Sequence, residues 1–409
     1  MAPRVSTRAR TLPASPIRKL APLAEEALQR GIKVHSLNIG QPDIETPIEI
    51  RSRLDGLSCP VIAYSASCGE LAYLDTLIRY YRRIGIELGA GEIIATTGAS
   101  EAILFTLLAC ADPGDEVIVV EPFYTNYKAF ACMAGLRLVP VPADARRGFH
   151  LPPREVWEAA ITPRTRLVIL CNPNNPTGAV YTPQELAMVA DFVASHDLFL
   201  LSDEVYRELV YDGRQTISAL ALPRMEERVI VADSLSKRYS ACGLRLGCLV
   251  TRNPTIYDAA LRMAQARLSA PALAQLGAVG IDDLGEAYAA GLARTYQRRR
   301  DVLYEKLSRV PGVEVSRPEG AFYLIATLPV DDADEFAAWM LGEFEYRGAT
   351  VMLAPAADFH VTPGAGRNQV RLAFVLNEHD LTEAVDVLAE ALAVYAGGVE
   401  ARGSALARG

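Results

Sequence analysis

Lys237 lies among residues that could bind a phosphate group. Ser234 and Ser236 stand just before it, and Arg245 follows shortly after. Hydroxyl groups and a guanidinium are the donors that a phosphate dianion prefers. A nearby cation and burial would favour the neutral amine of Lys237, which is a nucleophile. The cluster therefore predicts an amine that attacks a carbonyl carbon beside a bound phosphate.

Further polar and aromatic side chains follow other apolar runs of the sequence. Asp203 could form an ion pair with a protonated heterocyclic nitrogen. Tyr206 and Asn175 could hydrogen-bond a phenolic oxygen, and Tyr124 offers a ring face for stacking. The turn at 98–100 opens a helix whose free N–H groups favour an anion. Together these groups meet the demands of pyridoxal phosphate (PLP): phosphate, pyridine nitrogen, 3'-oxygen, ring face and aldehyde carbon.

Each of these side chains also has an ordinary structural explanation. Lys237 alone could be a solvated surface charge, and Asp203 alone could cap a helix. Tyr206 and Tyr124 could be packing aromatics. Their joint occurrence after successive apolar runs favours the functional interpretation, because each residue taken singly is a weak signal.

Seven short apolar runs would position these residues. Several are uninterrupted, as expected for strands buried on both faces of a parallel sheet. Ligands of open α/β sheets bind beyond the carboxyl ends of the strands, so the residues that follow the strands should meet at one edge. The candidate strands are Ile93–Thr96, Val117–Val120, Leu138–Val141, Leu167–Cys171, Leu198–Leu201, Val229–Val231 and Leu246–Val250.

Helical patterns alternate with the apolar runs and then change character. Thr182 to Glu185 reads as a capping box with proline at the first helical position, which opens a helix to about Ser195. Such alternation predicts an α/β fold: a large domain with a mainly parallel seven-stranded sheet flanked by helices. After about Leu284 the pattern favours a smaller α+β domain, formed by the N-terminal segment and the C-terminal part.

The predicted division of the chain has five parts. Residues 1–13 and 397–409 are expected to be flexible tails. Residues 14–47 form an N-terminal segment that joins the small domain, 48–284 form the large cofactor-binding domain, and 285–396 form the small C-terminal domain.

Composition limits the kind of partner. With 409 residues, 50% of them hydrophobic, the chain can bury the cores of two domains. A formal net charge of −8 argues against nucleic acid or an anionic membrane as partner. No apolar run approaches the ~20 residues that span a bilayer. Small-molecule substrates are therefore the expected partners.

The spacing of cysteines and histidines indicates whether the chain forms disulfides and whether it binds a metal ion. The seven cysteines are odd in number and lack C-x-x-C spacing, which favours free thiols in a reducing, cytoplasmic compartment. The five histidines show no H-x-x-x-H spacing, so no metal site is predicted. The Arg- and Ser-bearing N-terminus faintly resembles a transit peptide, although a solvated tail is the favoured interpretation.

These motifs make the chain similar to a known family. It resembles the class I/II aminotransferases of the fold type I PLP-dependent enzymes, over nearly its whole length. The resemblance implies ping-pong transamination between an L-amino acid and a 2-oxo acid through an imine at Lys237, with aspartate and 2-oxoglutarate as favoured substrates. The matching blocks are 38–43, 172–178, 202–206, 234–237 with 243–247, and 318–322.

The resemblance implies a role for each matched residue. Lys237 would carry the cofactor and move the proton between the substrate Cα and the cofactor, while Asp203 would keep the pyridine nitrogen protonated. Arg371 would grip the substrate α-carboxylate, helped by Asn175 and the backbone of Gly40. The implied catalytic residues are Lys237, Asp203 and Tyr206. The implied cofactor-binding residues are Tyr64, Ala99, Ser100, Tyr124, Asn175, Asp203, Tyr206, Ser234, Ser236, Lys237 and Arg245.

Tyr64 and Ser100 bear on assembly and specificity. Tyr64 matches a tyrosine that the family donates from the neighbouring subunit, which implies a homodimer with composite sites; plain packing is the alternative. Ser100 stands where dicarboxylate-specific relatives often carry a lysine. Arg18 and Lys19 could supply the missing charge, or they could be solvated helix charges.

Two other functions remain open at this stage. One is a different PLP reaction on the same scaffold, such as that of a β-lyase, a decarboxylase or an oxidase. The other is a ligand-sensing domain of a transcription regulator. That function would require a helix-turn-helix domain, and the region before Ile39 is expected to be too short for one.

Overall fold

The computed structural model describes residues 3–55, 60–285 and 287–406, with side chains described as far as residue 397. The strands are β1 Lys33–Ser36, β2 Ile93–Thr96, β3 Glu116–Glu121, β4 Arg137–Pro142, β5 Thr165–Cys171, β6 Phe199–Asp203, β7 Val229–Ser234, β8 Gly247–Thr251, β9 Glu314–Val315, β10 Tyr323–Thr327, β11 Ala349–Met352, β12 Ala354–Pro355 and β13 Gln369–Ala373.

Helices cover much of the remaining chain. The α-helices are α1 Thr7–Thr11, α2 Ala21–Gln29, α3 Ile48–Arg51, α4 Leu71–Arg83, α5 Ala99–Cys110, α6 Asn126–Ala134, α7 Arg154–Glu158, α8 Pro183–Ser195, α9 Leu235–Arg238, α10 Pro254–Arg267, α11 Ala272–Ala278, α12 Ala287–Leu307, α13 Ala333–Gly342 and α14 Glu378–Leu406. Among the described residues, none of these helices has the length and apolar character needed to cross a bilayer.

Strands β2 to β8 form one seven-stranded sheet in the order β2-β8-β7-β6-β5-β3-β4. The pairs β3–β4, β3–β5, β5–β6 and β6–β7 are parallel, whereas β8 runs antiparallel to both β2 and β7. The predicted seven-stranded, mainly parallel sheet is therefore confirmed. Because β8 runs opposite to its two neighbours, the carboxyl ends of β2, β3, β5, β6 and β7 all meet at the same edge.

The sheet is buried on both faces, which explains the uninterrupted apolar runs. Val117 belongs to a hydrophobic cluster that includes Ile103 of α5. The next residue, Ile118, belongs to the cluster on the other face, which includes Leu74 of α4. Each such fully buried side chain contributes ~1.5–3 kcal/mol, so helices cover both faces of the sheet.

The C-terminal part and the N-terminal segment share a third hydrophobic cluster. The antiparallel sheet β12-β13-β10-β9 lies there, and β1 pairs in parallel with β11 through Lys33 and Ala349 at one end and Ser36 and Met352 at the other. This arrangement agrees with the predicted smaller α+β region built from both ends of the chain. The five boundaries proposed from the sequence stay a prediction.

The six described cysteines are free thiols, in agreement with the odd count. Three are buried and three are half-buried: Cys110, Cys171 and Cys248, and then Cys68, Cys132 and Cys242. Cys59 lies outside the described residues.

Candidate active site

A cavity of about 440 Å³ opens at the edge of the sheet where the carboxyl ends of β2, β3, β5, β6 and β7 meet. Every site residue predicted from the sequence lines it, except Tyr64. The predicted residues that the fold brings together here are Gly40, Ala99, Ser100, Tyr124, Asn175, Asp203, Tyr206, Ser234, Ser236, Lys237, Arg245 and Arg371. The residues that end or follow strands of the large sheet thus lie at one edge, whereas Gly40 and Arg371 come from outside that sheet. The roles of all these residues stay proposals.

Tyr64 lies outside this cavity, and 80% of its side chain is exposed. Most of this side chain is therefore not packed within its own chain. Its predicted contribution to the neighbouring subunit stays a prediction.

One end of the cavity has the donors for a phosphate group. The hydroxyl of Ser234 donates to Ser236 Oγ at 2.9 Å, at the start of α9. Gly98, with φ of 71°, precedes α5, and a Cβ on it would meet Arg245 Nη2 at 2.7 Å. Only glycine lets the guanidinium approach this helix N-terminus so closely. Hydroxyls, a guanidinium and free helix N–H groups together suit a dianion.

Asp203 ends β6 and lies buried at another wall of the cavity. Tyr127 donates its hydroxyl to Asp203 Oδ2 at 2.7 Å, and the Val205 N–H donates to Oδ1 at 3.4 Å. Burial raises the pKa of Asp203 to about 6, against these two hydrogen bonds, which lower it. A carboxylate in this position is stabilised by a cationic partner, and the protonated pyridine nitrogen of PLP is such a partner.

Arg371 is the other strongly buried charge of the site. It is 1% exposed, donates through Nη1 to Asn175 Oδ1 at 3.2 Å, and donates through Nη2 to the carbonyl of Asn38. Its Nε has no hydrogen-bond partner among the described residues. In the described part of the chain, no carboxylate forms an ion pair with it. A buried guanidinium without an acid is costly, and a bound substrate carboxylate would remove that cost.

The hydroxyl of Tyr206 connects these groups. It accepts a hydrogen bond from Asn175 Nδ2 at 3.5 Å and donates to Tyr323 Oη at 3.1 Å. Burial and the Tyr323 hydroxyl raise the pKa of Tyr206 well above its ordinary value. The phenol therefore stays protonated and remains a hydrogen-bond donor at the cavity wall.

Lys237 is half-buried on the short helix α9. Its Nζ donates to the carbonyl of Gly40 at 2.7 Å and lies 3.9 Å from Cys242 Sγ. Nζ also lies 5.7 Å from the centre of the Phe322 ring. The amine is thus held inside the cavity, within reach of a molecule bound there.

Sequence reasoning missed two tyrosines that contact the predicted site residues. Tyr127 holds Asp203, and Tyr323 contacts both Tyr206 and the backbone of Gly40, where a Cβ would come within 1.7 Å of its hydroxyl. Tyr323 directly follows the block 318–322, so its position carried a usable signal. Tyr127 carried none, since only the packing of α6 directs it at Asp203.

A cavity with a phosphate cradle, a buried acid and an amine at the edge of a mainly parallel sheet is the site of a PLP-dependent enzyme. PLP fits the donors present, because the phosphate, the ring nitrogen and the carbonyl carbon each find a complementary group. Residues 32–388 match the family described as aminotransferase class I and II. The chain belongs to this family and is a PLP-dependent aminotransferase.

Characterised relatives agree with this assignment. The chain is 32% identical to the aspartate/prephenate aminotransferase of Thermus thermophilus over 375 residues, covering 90% of this chain and 94% of the relative. It is 31% identical to aromatic-amino-acid aminotransferase 2 of Thermococcus litoralis over 397 residues, covering 95% and 98%. A structure of the Thermus thermophilus aspartate aminotransferase double mutant 1 superposes with a TM-score of 0.87 at 28% identity, covering 95% of this chain and all of that one.

Proposed function

We propose that this aminotransferase takes the amino group from L-aspartate and passes it to 2-oxoglutarate. The observation that carries the proposal is the meeting of Lys237, Asp203 and Arg371 in one cavity. Support for aspartate comes from the relatives that are named for it. Arg371 is buried and has no ion pair with a carboxylate among the described residues, so it suits the α-carboxylate that every amino acid donor carries.

The cavity residues have different roles in the reaction. PLP, when bound, supplies an electron-withdrawing ring and the carbon that receives the amino group. Arg371 holds the substrate α-carboxylate and so fixes which bond at Cα can break. Lys237 Nζ would accept the proton from Cα and pass it to the cofactor carbon that holds the amino group, because this amine already lies inside the cavity. Ser234, Ser236 and Arg245 would hold the phosphate.

Single turnover of the holoenzyme with aspartate tests the reaction. An aminotransferase leaves the amine form of the cofactor and one equivalent of a 2-oxo acid, whereas a β-lyase or a decarboxylase returns the aldehyde form. Lys237→Ala should abolish turnover and the visible absorbance of the bound cofactor. Lys306→Ala is the matched control, since Lys306 pairs with Asp386 on the surface at 2.6 Å. Turnover that survives in Lys237→Ala would refute the assignment.

We also propose a homodimer with composite sites. Ile62, Tyr64 and Leu71, which are close in the sequence, are 63%, 80% and 73% exposed, which is unusual for large apolar side chains. A second subunit would cover them and bring Tyr64 to its partner's cavity. A fully active monomer in solution would contradict this proposal. We further propose a cytoplasmic location, which the free thiols support.

A further inference from the structure

The cavity has more positive charge than a monocarboxylic substrate requires. Four basic side chains line it, and Asp203 is the single carboxylate among the described lining residues. In the proposed function, Arg245 faces the cofactor phosphate, Arg371 faces the α-carboxylate, and Lys237 acts as the amine. Arg18 is the remaining cation, and no anion of the cofactor or of an α-carboxylate is left for it.

Arg18 and the adjacent Lys19 differ in their contacts. Lys19 Nζ forms ion pairs with Asp334 and, at 3.2 Å, with Asp358. Arg18 lines the cavity, and within the described chain its guanidinium has no hydrogen bond or ion pair with a protein group. The charge of Lys19 is thus neutralised outside the cavity, while that of Arg18 remains available at the cavity wall.

The backbone around Arg18 is held in place by contacts on both sides. Asn38 Nδ2 donates to the carbonyl of Ile17 at 3.0 Å, and the Arg18 N–H donates to the carbonyl of Ser15 at 3.1 Å. The ion pairs of Lys19 hold the following residue. Asn38 also accepts a hydrogen bond from Arg371 at its backbone carbonyl, so one residue contacts both Arg371 and the backbone next to Arg18.

We propose that Arg18 binds the distal carboxylate of a dicarboxylic substrate and so determines specificity. The inference rests on the proposed transamination of aspartate. Ser100, at the start of α5, cannot supply this charge. A guanidinium binds a carboxylate through two parallel N–H···O bonds, so the residue discriminates between aspartate and alanine, which differ by that carboxylate. The same contact favours 2-oxoglutarate over pyruvate as the acceptor of the amino group.

Half-reactions of the holoenzyme test this proposal. Conversion of the aldehyde form of the cofactor to the amine form is followed by absorbance, with aspartate or alanine as donor. Arg18→Gln should lower the aspartate-to-alanine ratio of kcat/KM by about 10-fold to 50-fold, as expected for charge-assisted hydrogen bonds. Arg18→Lys should restore part of the ratio. The control is Arg10→Gln, which removes the same charge from a residue that bonds Thr7 outside the cavity.

The reverse half-reaction provides a second measurement. In Arg18→Gln, 2-oxoglutarate should lose the same factor relative to pyruvate. An unchanged ratio in both directions would overturn the role of Arg18, and so would an equal fall in Arg10→Gln. A wild-type enzyme that reacts with alanine but not with aspartate would instead overturn the proposed donor. The wild type alone therefore separates the two failures.

Discussion

The buried carboxylate of Asp203 should make the cofactor-stripped enzyme less stable at neutral pH. Its pKa rises from an ordinary 3.8 to about 6 in the folded chain, chiefly because burial disfavours the charged form. The folded protein therefore binds this proton more tightly than the unfolded chain does. The contribution to stability is present in full below about pH 4 and is lost as the pH rises through about 6.

The structure also sets the size of the effect. The difference between 3.8 and about 6 corresponds to about 3 kcal/mol at neutral pH. Asp203→Asn removes this loss of stability, because the amide is uncharged, and it retains an oxygen that accepts the hydrogen bond from Tyr127. The variant loses the long hydrogen bond from Val205, which costs about 1 kcal/mol. The stripped variant should therefore be more stable than the stripped wild type by about 2 kcal/mol near pH 8.

Urea unfolding of both stripped proteins measures this difference. Other groups titrate alike in the two proteins, so the difference isolates residue 203, and it should shrink by about 1.4 kcal/mol between pH 8 and pH 5. Once PLP is added, the variant should be the less active of the two, with kcat/KM at least about 30-fold lower than that of the wild type, because a buried charge pair is lost. A stripped variant that is less stable than the wild type, or a difference independent of pH, would refute the reasoning.

Two further substitutions test other parts of the site. Arg371→Ala should raise KM by about 100-fold for every amino acid donor, because two charge-assisted hydrogen bonds to the α-carboxylate are lost; steady-state kinetics with several donors would show an unchanged KM if the carboxylate bound elsewhere. Asp233→Ala should lower the free energy of unfolding by about 3–5 kcal/mol, because the buried guanidinium groups of Arg207 and Arg238 lose their shared partner. Urea unfolding measures this loss, and Asp258→Ala, which breaks an exposed pair with Arg262, should cost no more than about 1 kcal/mol. Equal losses in the two variants would contradict the assigned burial effect.

Much of the large sheet could be predicted because its strands are buried on both faces. Leu167 to Cys171 and Val229 to Val231 are uninterrupted apolar runs, and both lie within observed strands. The positions of the residues directly after such runs could also be predicted, because a parallel sheet brings the carboxyl ends of its strands together at one edge. Asp203 and Lys237 therefore appear in one cavity, as predicted.

Contacts between distant elements could not be read from these patterns. Tyr127 of α6 donates to Asp203 of β6, and Tyr323 of β10 accepts from Tyr206, although each pair is far apart in the sequence. An apolar or aromatic pattern specifies that a tyrosine is buried, but not which polar group its hydroxyl meets. The partner depends on the packing of whole elements.

The sequence by itself determined the sheet and the residues at its edge, and it offered Arg18 and Lys19 as two candidates for the charge that Ser100 does not supply. It left Arg18 and Lys19 equivalent, since adjacent residues of equal charge have the same local pattern. Only the tertiary structure separates them: Lys19 pairs with Asp334 and Asp358, which are distant in sequence, while Arg18 faces the cavity. An ion pair depends on distance in space, so folding decided which of the two charges remained free for a ligand.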